Sequence, residues 1–447
     1  MLSGASFCHG SHEGCLHHFP HLNPLALTTH KDVDIYRGQP TQAEMENAAR
    51  VNAAAMQYVT KSSASPLIQG QLASLSPEHS RCAFLRVEYI EHAGLGHTLS
   101  CWAKYLLDGI NNGLTYVSPF FSGAHENCNL GGSAEFYGIH SAFYWANVNN
   151  MSSAAAETVT VGDDRNNPCT SQQLRDAVDA TRRRKGGFSC DRPVVFLCRN
   201  EKDPFSNRES KSVISWIEPV RGAVLASLTP GVRKRYRHPA IPDNATTVNV
   251  VVHIRRGDIL TSRRVDREHR LTSWHSYRLI LRLILAALRE GGTAKQVAIF
   301  ILCEGAKDDA HIVEYDQSIT AYGFPAGAAR KLYPLDVQAS LADVCSPSLK
   351  IPCSVRVLHD ATSSELTSFL ALCEAHVLVS STSGFSLPPS AICQPMLTVA
   401  LPFSLSWVGI RNTIPVRLVS GDLWKEDAVI ELPGLVNLSS LIKETSL

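Results

Sequence analysis

Apolar residues in this chain gather in short unbroken runs, parted by stretches rich in Gly, Pro, Asn and Ser. Such runs predict strands buried on both faces of a sheet. The first run predicts a strand over 83–90, followed by a glycine-containing turn, an apolar helix over 98–110 and a second strand over 114–117. That order is the pattern of a βαβ unit with a parallel sheet. From 123 to 191 the chain turns to Asn, Gly, Ser and Asp and predicts long loops or insertions, with Arg182-Arg183-Arg184-Lys185 as solvated surface. A helix is expected over 209–228, and a linker over 237–243, where prolines exclude helix and force the residue before each into extended backbone.

A second alternation starts beyond that linker. Residues 248–253 form a β-branched, almost wholly apolar strand. A helix follows over 274–289, with Tyr277, Ile280, Leu281, Ile284, Leu285 and Leu288 on one face and Gly291-Gly292 as its stop. Strands over 297–302, 355–358, 377–379 and 396–401, with a helix over 365–375, complete a second Rossmann-like unit. The fold class expected is α/β with two Rossmann-like domains. The divisions are a poorly structured extension over 1–80, a first domain with long insertions over 81–240, a second over 245–410 and a C-terminal extension over 411–447.

Composition narrows the function classes. The 447 residues are 44% hydrophobic and 19% charged, and 42 basic against 41 acidic side chains leave a net charge of +1, so no bulk charge points to nucleic acid or a membrane surface. The longest apolar runs fall short of the ~20 residues a membrane span needs. The first forty residues hold Cys8, Cys15, His9, His12, His17, His18 and His21, read as a mobile tail because their spacing matches no closed ligand set, and they show no signal peptide. The thirteen cysteines include Cys303, Cys373 and Cys393 within apolar segments, where a thiol packs as a small hydrophobe. Tripeptides at Asn150, Asn244 and Asn437 permit glycosylation without demonstrating it.

Three motifs carry chemistry. His253-Ile254-Arg255-Arg256-Gly257-Asp258 sits at the carboxyl end of the buried strand, where open α/β sheets bind ligands. Alternation sends His253 and Arg255 to one face and Arg256 to the other, and a guanidinium fork suits a diphosphate. The alternative is that both arginines pair with carboxylates at the edge of the core. Gly94-Leu95-Gly96-His97 lies between strand and helix, where glycines allow close backbone approach to donor phosphates or an acceptor. It lacks the third glycine and downstream acid of a dinucleotide site and the Gly-Lys-Ser/Thr of a phosphate loop, so oxidoreductase and triphosphatase readings fall. The third motif, Ser380-Ser381-Thr382-Ser383-Gly384-Phe385-Ser386, follows a strand and precedes a short helix, as an anion cradle or as a helix cap.

Together, in this order, the motifs resemble the fucosyltransferases that make α1,2, α1,6 and protein O-linked fucose, over about residues 83–403. The resemblance implies a GT-B fold, two Rossmann-like domains facing across a cleft, and a GDP-fucose donor held mainly by the second domain. It implies that Arg255 contacts the β-phosphate, His253 lies by the nucleoside, and Ser383 with Gly384 and Phe385 contacts phosphate, while Arg256 and Asp258 shape the turn. Gly94, Gly96 and His97 would form the first-domain loop, with His97 departing from the family's usual Asn. Glu365 would read guanine, with Asp360 second; Thr362-Ser363-Ser364-Glu365 is also a capping box.

For the base that deprotonates the acceptor in an inverting transfer, the candidates are Asp266, Glu268 and Glu91. Asp32-Val33-Asp34 imitates a metal-binding motif but lies in the tail, and the resemblance implies no metal and no other cofactor. The expected partners are a nucleotide-sugar donor and a glycan or glycoprotein acceptor, with no nucleic acid. Other readings are another nucleotide-sugar transferase, or a non-catalytic relative that binds glycan or nucleotide. The resemblance implies work in the Golgi or secretory lumen, and the sequence leaves the compartment open.

Overall fold

A computed structural model describes residues 82–87, 104–117, 157–162, 169–198, 233–242, 246–255, 272–303, 313–346, 350–359, 365–401 and 412–435, with short gaps inside several of these segments. The chain divides into two compact units, 1–98 with 108–202, and 203–447 with 99–107.

The first unit contains a four-stranded sheet of β1 (Ala83–Val87), β2 (Thr115–Val117), β3 (Glu157–Val161) and β4 (Val194–Cys198) in the order β2-β1-β4-β3. All neighbours are parallel. The expected strands β1 and β2 are present, and residues among 104–112 are helical between them. The stretch expected to be loops holds β3 and the helix α1 (Ser171–Lys185) instead. This helix eluded the apolar pattern because it buries only Leu174, Val178 and Thr181 and is polar or Ala elsewhere. Its ends are nevertheless well specified. Thr170 and Gln173 form a capping box, and Gly186 closes the helix at φ 69°, a left-handed conformation that suits glycine. The four basic residues occupy its last turn, next to the carbonyl end of the dipole, where Arg184 and Lys185 pair with Glu157. The fully buried β4 joins β1 to β3, and Cys198 at its end is bonded to Cys169 before α1.

The second unit is a six-stranded, wholly parallel sheet of β5 (Thr247–Ile254), β6 (Gln296–Cys303), β7 (Cys353–His359), β8 (Val377–Val379), β9 (Leu397–Ala400) and β10 (Thr413–Pro415). Its order is β10-β9-β8-β5-β6-β7. Alternation along the central strands feeds two separate cores. Val248, Val250, Val252 and Ile254 of β5 pack on one face with the helix α2 (Trp274–Glu290), and Val251 packs on the other with Ala371 and Leu372 of α5 (Glu365–Cys373). On β6, Val297, Ile299 and Ile301 join the first core while Ala298, Phe300 and Leu302 join the second. Burial on both faces explains why these strands are almost wholly apolar. The short helices α3 (Ala328–Leu332) and α4 (Val337–Leu341) add to the α2 side. The helix α6 (Leu387–Cys393) follows β8.

Two expectations are corrected. The unit does not stop at 410: β10 completes the sheet, and the antiparallel pair β11 (Arg417–Ser420) and β12 (Val429–Glu431) places Ile430 in the α2 core. The Leu423 carbonyl accepts from the Ser273 amide at 2.8 Å and the Ser276 hydroxyl at 2.6 Å, stitching this segment to the start of α2. Strands of three or four residues with exposed positions carry too little apolar pattern to be seen in sequence. Second, Cys373 and Cys393 are not thiols but a disulfide joining the last residues of α5 and α6, and Cys345 is bonded to Cys353. The helix expected over 209–228 lies outside the described residues.

Candidate functional site

Strand order decides where a ligand fits. Read from β7, the second sheet runs 3-2-1-4-5-6, so the chain leaves β5 toward β6 and β7 and then returns to β8 on the other side of β5. The carboxyl ends of β5 and β8 therefore flank the topological switch point, the crevice in which open α/β sheets bind ligands. Two of the three sequence motifs meet there, separated by more than a hundred residues of chain.

Arg255 follows β5 and is half-buried. Its Nη1 donates to Ser383 Oγ at 2.9 Å, and the same oxygen accepts from the Phe385 amide at 3.2 Å. Ser383 is 5% exposed, so the serine end of the pair is buried while Arg255 keeps partial access to solvent. The geometry excludes helix capping by the last serine of the motif: Ser386 is the N-cap of α6 but makes no side-chain cap bond. Its hydroxyl instead lies 2.5 Å from His253 Nδ1, with Ser381 Oγ 2.9 Å from the same nitrogen.

His253 is 1% exposed, its Nε2 is buried with no hydrogen-bond partner, and its carbonyl accepts from Tyr277 Oη at 3.4 Å. The Phe385 ring meets the imidazole at 60°, centroids 5.5 Å apart. Burial, reinforced by the Arg255 charge, pushes the imidazole down to about 3, so it is neutral throughout the physiological range. Burial, and after it Tyr333, holds the Tyr277 hydroxyl well above its ordinary range against a smaller opposing effect of Thr272, so it stays a donor.

The structure thus brings together His253, Arg255, Ser383 and Phe385. Glu91, Gly94, Gly96, His97, Arg256, Asp258, Asp266, Glu268, Asp360 and Gly384 lie outside the described residues, as do the tail motifs. Glu365 opens α5 after β7, and its side chain is likewise outside them. Sequence reasoning missed Ser381, Ser386 and Tyr277 as partners of His253. The signal was available in part, because alternation already placed His253 and Arg255 on one face of β5. Among the described residues no group of His, Cys, Asp and Glu is arranged to hold a metal ion, and no helix is long and apolar enough to cross a membrane.

The fold and site define a protein of two parallel α/β units, the second doubly wound with an arginine–serine pair at its switch point. No protein-family model and no curated protein matches the chain. Among solved structures, an Arabidopsis thaliana FUT1 mutant in complex with GDP matches at 10% identity, covering 87% of this chain and 81% of that one, with a TM-score of 0.34. POFUT1 in complex with GDP matches at 11% identity over 70% of this chain and 94% of that one, TM-score 0.31. The E. coli heptosyltransferase WaaC with ADP-2-deoxy-2-fluoro heptose matches at 14% identity over 81% and 99%, TM-score 0.30. Likeness at this level carries no residue-level information, so the site rests on this chain's own geometry.

Proposed function

We propose that the chain is a glycosyltransferase of GT-B type that uses a nucleotide-sugar donor, GDP-β-L-fucose in particular, and transfers the sugar with inversion to a hydroxyl of a glycan or glycoprotein. The observation that carries the proposal is the Arg255–Ser383 pair at the switch point. In such a transfer the acceptor oxygen bonds to the anomeric carbon as the bond from that carbon to the diphosphate oxygen breaks, the diphosphate leaves with the electron pair, and the acceptor proton passes to a base. Charge grows on the diphosphate, and a fixed guanidinium beside a hydroxyl donor is suited to stabilise it. Asp266, Glu268 and Glu91 are the proposed bases. Fucose as the transferred sugar rests on the order of the three motifs, and Glu365, with Asp360 second, is the proposed reader of guanine.

The reading requires no metal, since Arg255 supplies the positive charge. The Golgi or secretory lumen is the proposed compartment, and disulfides at Cys169–Cys198, Cys345–Cys353 and Cys373–Cys393 suit maturation in an oxidising one.

Calorimetric titration with GDP and with UDP, beside Arg255→Ala, tests the donor site. Binding selective for GDP and lost in the variant is expected, followed by GDP release from GDP-fucose when acceptor is added. A folded sample that binds neither nucleotide would remove the reading's physical support. GDP binding without turnover on any acceptor would instead indicate a non-catalytic nucleotide-binding relative.

A further inference from the structure

His253 has the wrong environment for a residue that touches a ligand. It is 1% exposed, and the ring is covered by Phe385 on one side. Its one bonded nitrogen, Nδ1, is engaged within the protein by Ser381 and Ser386, the residues on either side of Ser383 in the segment after β8. A second bond closes that segment on itself, from the Ser381 amide to Ser386 Oγ at 3.4 Å. The Ser386 carbonyl accepts from the Ser390 hydroxyl at 2.8 Å, which anchors the far end to the first turn of α6. The near end is held at Ser380, whose amide donates to the Val399 carbonyl and whose hydroxyl accepts from the Leu401 amide. Both ends of the segment are thus fixed to the sheet or to α6, and Ser381 and Ser386, which flank Ser383, are both tied to β5 through one imidazole nitrogen.

We propose that His253 is a positioning residue: through Nδ1 it holds Ser381 and Ser386, and so sets the segment between β8 and α6 at the height where Ser383 meets Arg255, without itself touching the bound nucleotide. The proposal rests on the donor-phosphate reading of Arg255 and Ser383. It also replaces the expectation that His253 lies against the nucleoside. A hydrogen-bonding side chain is required at this position because the two serine hydroxyls would otherwise be buried without a partner on β5. Histidine suits the task because its neutral ring offers one nitrogen to the hydroxyls in either tautomer.

The two amide isosteres separate positioning from contact. Asparagine places an amide atom near Nδ1, and glutamine places it near Nε2. His253→Asn, His253→Gln and the Ser381→Ala/Ser386→Ala double variant would be compared with wild type by GDP titration and by hydrogen exchange at the Phe385 amide, whose acceptor is Ser383 Oγ. Expected is a loss of exchange protection and about a tenfold loss of GDP affinity in His253→Gln and in the double variant, with His253→Asn restoring most of both. Affinity that tracks protection across the set supports positioning. Affinity that falls while protection stands, affinity that survives its loss, or protection unchanged in every variant overturns it. Retention of binding by His253→Gln and its loss in His253→Asn would mark Nε2 as a ligand contact. If one substitution fails to fold, Ser386→Ala alone takes its place. Failure of wild type to bind GDP would sink the donor reading separately, while exchange at Phe385 alone would still decide whether His253 holds the segment.

Discussion

Arg255 Nη1 donates to Ser383 Oγ at 2.9 Å across 128 residues of chain. The contact exists because β8 returns beside β5, in parallel register from Val250 with Val377 to Val252 with Val379. Three residues past that register on β5 stands Arg255, and four past it on β8 stands Ser383. The pairing is therefore a product of strand order, and any change that shifts β8 against β5 would separate its partners.

A cycle of Arg255→Lys, Ser383→Ala and the double variant measures what the pair does for phosphate. Lysine keeps the charge but loses the planar fork, so GDP affinity should fall roughly tenfold, between wild type and Arg255→Ala, where about 10- to 100-fold is expected. Ser383→Ala alone should cost about threefold to tenfold. Because the two touch each other and would share one anion in the proposed site, the double variant should lose less than the product of the single losses. Strict additivity in titration calorimetry would show that the two do not share a ligand.

Much of this was legible in sequence, for a physical reason that also explains the gaps. Strands β5 and β6 are apolar on both faces because separate cores cover them, so they stand out as runs; the 17-residue α2 shows its stripe from Tyr277 to Leu288. By contrast, α1 touches its core at three buried positions, and β10 to β12 are short and partly exposed. In the site, alternation put His253 and Arg255 on one face. No local pattern could show that both would meet a segment brought in by a crossover, nor that Ser386 would serve His253 instead of capping α6.

Stability should fall on mild acidification. Burial and the Arg255 charge hold His253 at about 3, below the ordinary value of 6.5 that it regains on unfolding. Between those values the unfolded chain binds the extra proton, so the stabilisation is complete above about pH 6.5, erodes as pH falls through the window and stops changing below about 3. From pH 7 to pH 5 the loss from this group is about 2 kcal/mol. His376, lowered by burial and then by Lys295, adds in the same direction. Denaturant titrations at the two pH values should show a smaller drop in His253→Asn than in wild type; an equal drop would mean that the imidazole is not neutral in the folded state.

Donor binding should be indifferent to chelation. A guanidinium is charged at every accessible pH, and that of Arg255 stands directly after β5, so the proposed phosphate site has its own cation. GDP affinity measured after EDTA treatment, and again with added magnesium or manganese, should agree within about twofold, well under the tenfold that ~1.4 kcal/mol represents. Affinity that collapses with EDTA and returns with a divalent ion would replace Arg255 by a metal as the main phosphate partner.

The Cys373–Cys393 disulfide should matter for stability and little for binding. It closes a segment of 20 residues that includes β8 and the whole serine motif, which on chain-entropy grounds stabilises the fold by about 3 kcal/mol. Yet it joins the last residues of α5 and α6, whereas the site is formed where α6 begins, and the segment before α6 is held independently by Val399, Leu401 and His253. The paired Cys373→Ser/Cys393→Ser variant should therefore unfold at lower denaturant, while its folded form at low temperature keeps GDP affinity within about threefold, a difference of under ~1 kcal/mol. Peptide mapping without reductant should recover the two cysteines as one linked fragment from wild type. A variant as stable as wild type would show that the bond constrains nothing the fold lacks. A stable variant that no longer binds would place the disulfide, rather than the hydrogen bonds around His253, in control of the segment that carries Ser383.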